Sequence, residues 1–190
     1  MWSGTCGVGH TGHSGVRPDG GGRVVRKSHQ RAAVVGGVDI AYADARQLAL
    51  EMAGKPGPRI DTMAAGVVLQ DGEIPRRVLE VWVSMWLARE WAPGSTAQVL
   101  LSDRRLLVRL DSGALVSMWW DALVGFRADL SAEYVVLDFG DGRPRSISGR
   151  GAAAVAVAGV ARLYGTAALL THPALEPLRQ ARLEESVRST

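Results

Sequence analysis

Between Val99 and Ser148, short apolar runs recur at intervals of about eight to twelve residues, each ended by residues that favour chain reversal. That rhythm is too short for packed helices and fits an antiparallel meander. The runs Val99 to Leu101, Leu106 to Leu110, Ala114 to Trp119, Leu123 to Ala128, Tyr134 to Phe139 and Arg143 to Ser148 read as strands. Their separators are Ser102-Asp103-Arg104, Asp111-Ser112-Gly113, Trp120-Asp121, Asp129 to Glu133 and Gly140-Asp141-Gly142, all with turn chemistry. Upstream, Leu79, Val81, Val83, Met85 and Leu87 alternate as a strand face, while Val78, Trp82 and Trp86 also fit a helical stripe. The β-branched and aromatic content of Arg77 to Glu90, with Ala92-Pro93-Gly94 behind it, favours a long strand.

After the meander the period changes. Gly151 to Tyr164 is Ala/Val-rich and reads as one closing helix, with Ser148 as its N-cap and Gly165 as its stop. Gly151 to Leu170 contains a single charge, Arg162, but its alanines, Gly165 and that arginine disfavour insertion into a bilayer, so no membrane span is expected. Leu175 to Val187 reads as a charged terminal helix or tail. Ahead of the meander, Tyr42, Ala45, Leu48, Ala49 and Met52 recur at helical spacing, with Asp39 as the candidate N-cap. Lys55-Pro-Gly-Pro-Arg59 ends that helix. Val24 to Val38 contains Gly36-Gly37, and at most a short strand is expected there. The expected division is a disordered basic Gly/His/Arg-rich arm (1–38), a helix and linker (39–62), a β domain (63–175) and a charged tail (176–190), with about Met63 to Leu178 expected to fold alone.

Order and local sequence together resemble a pleckstrin-homology-like (PH-like) domain of the bacterial, GRAM-like kind. Val99-Leu100-Leu101-Ser102-Asp103-Arg104-Arg105-Leu106-Leu107-Val108 is similar to the T-D-R-R-L strand-turn-strand signature of those domains, with Ser102 in place of threonine. Gly72-Glu73, Met118-Trp119-Trp120 before Val124-Gly125-Phe126, and Leu137-Asp138-Phe139-Gly140-Asp141-Gly142 extend the likeness over about residues 66 to 175, and it is strongest to actinobacterial PH-like proteins. The resemblance implies a mainly β (α+β) fold, a seven-stranded antiparallel barrel capped by a C-terminal helix, here with an extra N-terminal helix. It implies a binding role and supplies no catalytic residue. In phosphoinositide-binding relatives the loop between the first two strands is basic, whereas Ala92-Pro93-Gly94-Ser95-Thr96-Ala97 holds no cation.

Motifs for chemistry are incomplete. Gly7-Val8-Gly9-His10-Thr11-Gly12 spells a dinucleotide fingerprint without the strand and helix that it needs. Cys6, His10 and His13 lack a fourth ligand on a rigid scaffold, His29 being the nearest, so no metal or cofactor is expected. Asp138-Phe139-Gly140 copies a kinase triplet without its companion loops and reads as a hairpin. His172 has no carboxylate partner, and Asp138 and Asp141 sit where water should leave both carboxyls unshifted, so no catalytic residue is assigned.

Binding residues are easier to nominate. Trp82, Trp86, Trp91, Trp119 and Trp120 are expected mostly in the core, but neighbours on a strand face opposite ways, so one of Trp119 and Trp120 should point outward as an anchor. Asp103 should accept backbone N–H groups in the turn, with Arg104 and Arg105 on opposite faces. Arg105 and Arg109 share a strand face, where surface ion pairing competes with holding a phosphate or carboxylate. In residues 1–31, Arg17, Arg23, Arg26, Lys27 and Arg31 face Asp19 alone, so this arm carries +4 while the rest of the chain sums to −1, for a net charge of +3. Such an arm suits nucleic acid or an anionic membrane surface, or is simply a solvated tail. The expected function is a non-enzymatic module binding a protein, cytoplasmic or peripheral at a membrane, with binding through the basic arm as the alternative.

Overall fold

Pairing along both edges of one long strand organises the molecule. The computed structural model describes residues 25–181, with side chains from residue 39. Its elements are helix α1 (Val25–Met52), strands β1 (Pro75–Leu87), β2 (Glu90–Trp91), β3 (Ser95–Ser102), β4 (Arg105–Leu110), β5 (Leu115–Trp119), β6 (Gly125–Asp129), β7 (Tyr134–Asp138) and β8 (Arg145–Ser148), then helix α2 (Ala152–Tyr164). Strand β1 pairs with β3 from Pro75 to Val83 and with β8 from Trp82 to Met85, both antiparallel. The full strand order is β5-β4-β3-β1-β8-β7-β6, with β2 as a side hairpin on β1. Every pairing is antiparallel. A seven-strand antiparallel path closed by a C-terminal helix is the expected PH-like architecture.

The inward faces of β1, β3, β4, β7 and β8 and the whole of Ala152–Ala161 share one core, in which Val99, Val108, Val135, Ile147 and Val157 are fully buried. Small residues let α2 come close to the sheet. A Cβ on Gly159 would lie 2.5 Å from the Phe126 ring, so only glycine fits at that crossing. Ser148 does not cap α2: the N-cap is Gly151, and the Ser148 hydroxyl donates to the Trp82 carbonyl at 3.5 Å. The β8 ladder holds Ser148 in the strand, one turn short of the helix. Gly165, at φ +82°, ends the helix as expected.

Helix α1 begins at Val25, not near Asp39, so Asp39 lies inside it and is no N-cap. Neither a disordered arm through residue 38 nor a short strand describes residues 25–38. The sequence from Arg26 to Val35 has no proline, and Gly36-Gly37 costs about 1 kcal/mol per residue relative to alanine without removing a hydrogen bond. The later turns are anchored, since Ala45 and Leu48 are fully buried in the core that contains α2.

The proline segment Lys55–Arg59 is exposed, but both of its flanks are packed. Val67 joins Leu100 and Leu107 in a second apolar cluster on the outer face of β3 and β4, supported by Ile60, Ala65 and Leu69. Arg109 fastens the same segment by donating to the carbonyls of Ala65 (3.2 Å) and Gly66 (2.8 Å). No gap in the packing coincides with the expected linker. Among the described residues, no helix is long and apolar enough to cross a membrane.

Ala158 is 1% exposed on the sheet side of α2. Ala158→Leu is therefore expected to destabilise by about 1–3 kcal/mol in urea unfolding, through overpacking. Arg162→Ala is the control: its ion pair with Asp121 at 3.2 Å is exposed on both sides, and the same measurement should show almost no change.

Candidate binding site on the outer face of the sheet

Alternation along β1 puts Val81 and Val83 in the core, and by the same parity it turns Glu80 and Trp82 outward. Trp82 is 48% exposed. Its neighbours across the ladder are Thr96 on β3 and Ser148 on β8. The indole packs closely on Gly94, where an added Cβ would come within 1.9 Å of the Trp82 indole nitrogen. Around it is a shallow trough of about 510 Å³ lined by Glu80, Thr96, Gln98, Asp111 and Ser148. The Thr96 hydroxyl donates to the Asp111 carboxylate, 2.7 and 2.9 Å from its two oxygens, and so fixes that carboxylate beside the ring.

Further along β1, Trp86 meets Trp91 edge-to-face with ring centroids 5.4 Å apart. Strand β2, which carries Trp91, has only two residues and left no pattern in the sequence. The turn joining it to β1 places Ala88 (φ 50°) and Arg89 (φ 69°) in the left-handed region, at a cost of about 1–2 kcal/mol per residue. Two-residue hairpins need positive φ and usually place asparagine and glycine there. The connection between the two longest strands is thus 88–94, since Ser95, Thr96 and Ala97 belong to β3. Its one cation is Arg89, next to Glu90.

The tryptophans were expected mostly in the core, and the structure corrects this. Trp82 and Trp91 are exposed, Trp86 and Trp119 half-buried, and only Trp120 is buried, its indole N–H donating to the Ser102 carbonyl at 3.2 Å. Trp119 ends β5 while Trp120 opens a 3₁₀ turn, so strand parity does not govern the pair; Trp119 is the less buried of the two but is covered by the Arg105 guanidinium 4.4 Å from its ring centroid.

Arg105 makes no surface ion pair and offers no anion site. It is 9% exposed and holds the buried Glu73 by two hydrogen bonds of 3.0 Å. Ser102 donates to the same carboxylate at 2.6 Å, and the Gln70 N–H at 2.9 Å. Burial alone would raise the Glu73 carboxyl, but hydrogen bonds from Arg105, Ser102 and the Gln70 amide outweigh it and hold the pKa below its ordinary 4.5. The signature Ser102-Asp103-Arg104-Arg105 is thus a fastening between the approach to β1 and the β3–β4 turn. Asp103 contributes by accepting the Ile74 N–H at 2.8 Å, and Arg104 reaches Gln70 at 3.3 Å. Arg109, expected beside Arg105 as an anion ligand, is occupied by the two carbonyls described above.

Of the basic arm, Arg17 and Arg23 lie outside the described residues. Arg26, Lys27 and Arg31 lie on α1 where side chains are not described. Cys6, His10 and His13 also fall outside, and the His29 side chain is not described. Among the described residues, no group of three or more His, Cys, Asp or Glu is placed to hold a metal. His172 accepts the Ala174 N–H at 3.2 Å and packs on Tyr164, which gives it a capping role. Asp141 departs from the expectation for an exposed hairpin carboxylate: hydrogen bonds from the Arg145 guanidinium and the Arg143 amide lower its pKa.

No family model matches the chain, and no curated sequence does. Among solved structures, the chain is similar to the Vps36 N-terminal PH domain, with 15% identity over 55% of this chain and 87% of that one and a TM-score of 0.38. A structure titled for the PH and C1 domains of the Vav1 exchange factor is similar at 13% identity, over 73% of this chain and 38% of that one, with a TM-score of 0.34. The fold assignment rests on the strand order and the closing helix described above.

Proposed function

We propose that the chain is a non-enzymatic, cytoplasmic PH-like binding module that recognises a cationic segment of a partner protein. The observation that supports this is Trp82: a half-exposed indole packed on Gly94, in a trough that Glu80 and Asp111 also line. An arginine or lysine over an indole face gains about 0.5–1 kcal/mol at an exposed site and about 2 when desolvated. Flanking carboxylates add charge-assisted hydrogen bonds and select against anionic partners. Trp86 and Trp91 extend the apolar surface, and tryptophan is among the residues that anchor interfaces. The strained Ala88-Arg89 tip holds Trp91 against Trp86, as strain is often retained at working surfaces. Kinship with GRAM-like actinobacterial proteins belongs to this reading and is supported by the Ser102 to Leu106 signature.

The test is a panel of arginine- and lysine-rich peptides and their glutamate-substituted counterparts, titrated against the full chain. Saturable binding of cationic peptides is expected, weakened about thirtyfold by Trp82→Ala with an unchanged thermal melt, since hot-spot truncations cost about 2 kcal/mol. Binding that prefers single-stranded nucleic acid or anionic vesicles, falls steeply with salt and ignores Trp82→Ala would replace this reading by one through the basic arm.

A further inference from the structure

A second concavity, separate from the trough, runs between α1 and the chain that follows α2, where 3₁₀ turns cover Thr166–Leu170 and Pro173–Leu175. It encloses about 680 Å³, within the usual range for small-molecule sites of about 300–1,000 Å³. Its floor is made of small apolar side chains, Ala43 and Ala49 of α1 and Ala53 just past its end, facing Leu169 and Leu178. At its lips stand Leu50, 42% exposed, and Leu170, 76% exposed. Among the described residues its charge has one sign, because Arg46, Lys55 and Arg179 line it and no carboxylate does. Arg179 is paired with Glu176 outside the groove, and Arg46 donates to the Leu178 carbonyl at 3.4 Å. Lys55 forms no ion pair with a described residue. At the end of α1 the carbonyls of Ala49, Leu50 and Glu51 accept the amides of Ala53, Lys55 and Gly54.

We infer that this groove binds a long-chain fatty acid, its acyl chain along the alanine floor and its carboxylate at Lys55. Each methylene removed from water is worth about 0.8 kcal/mol, and an acyl chain needs no hydrogen bonds along its length. A peptide would need partners for its backbone, and the neutral polar side chains lining the groove are only Gln47 and Thr166. The cationic mouth complements a single carboxylate, which a methyl ester or an alcohol lacks.

The experiment titrates the full chain with palmitate and with hexadecanol, by displacement of a fluorescent fatty acid. Saturable binding with palmitate preferred at least tenfold is expected. Lys55→Glu should remove that preference without changing the thermal melt, and Ala53→Trp, which fills the slot, should remove binding of both. No saturable binding, an unchanged preference in Lys55→Glu, or full binding in Ala53→Trp would overturn the inference. So would capture by phosphatidylglycerol vesicles without binding of monomeric palmitate. None of these outcomes bears on Trp82, so the inference and the proposed function fail separately.

Discussion

A chain that starts at Met63 is expected to lose its cooperative thermal transition, while one that starts at Asp39 retains it. Three losses combine in the shorter fragment. Ala45 and Leu48 leave a core in which both are fully buried, and a buried leucine alone is worth about 2–5 kcal/mol. Arg77, 7% exposed, loses Glu51, which meets it at 2.8 and 3.0 Å, and Asp44 at 2.8 Å. Stripping the partner from a buried charge costs about 3–5 kcal/mol. The uncovered side of α2 then faces water. Against a typical domain stability of about 5–15 kcal/mol, this sum removes most of the margin. Circular dichroism on the two fragments decides the matter, and a sharp melt of the Met63 fragment would make α1 an accessory. The sequence alone suggests an independent domain from residue 63; the burial of Ala45, Leu48 and Glu51 leads to the opposite expectation.

Glu73→Ala is expected to cost about 3–5 kcal/mol in urea unfolding at neutral pH, because it leaves the Arg105 guanidinium buried beside unfilled donors. The acid limb of stability should change as well. Hydrogen bonds hold the folded-state pKa of Glu73 below its unfolded value of about 4.5, so the carboxylate stabilises the fold fully above that value and ceases to do so as pH falls through the folded-state value. Glu51 acts in the same direction, chiefly through its hydrogen bonds from Arg77. Glu73→Gln should flatten the fall in stability below pH about 4.5 compared with the native chain, with the Glu51 contribution left as the remainder. An unchanged acid limb in Glu73→Gln would show that this carboxyl titrates alike in the folded and the unfolded chain.

What could be read from the sequence follows a physical divide. Strands separated by Asp, Ser and Gly were legible because turn chemistry is local, and Gly165 was legible as a helix stop for the same reason. Ser148 misled, because a serine near a helix start is also a good strand residue and the β8 ladder claimed it. The length of α1 was hidden by Gly36-Gly37, whose local cost tertiary packing outweighs. The role of Arg105 was hidden by distance, for its carboxylate partner lies 32 residues earlier in the chain. Glu73 had been noticed, but no pattern linked the two. Trp82 was within reach: the alternation that assigned Val81 and Val83 to the core already turned it outward, and only the expectation that tryptophans are buried obscured this.

The placement of α1 also bears on how the chain is made. Its contacts lie far downstream, since the Tyr42 hydroxyl donates to Leu130, 88 residues later, and Arg46 to Leu178, 132 residues later. At synthesis rates of about 5–20 residues per second, the nascent helix waits roughly 7–26 s for its last partner to leave the ribosome. Until α2 itself has been made, the side of α1 destined for it has no partner there. Among the described residues, the first helix in the chain is therefore the one whose packing waits longest for its partners.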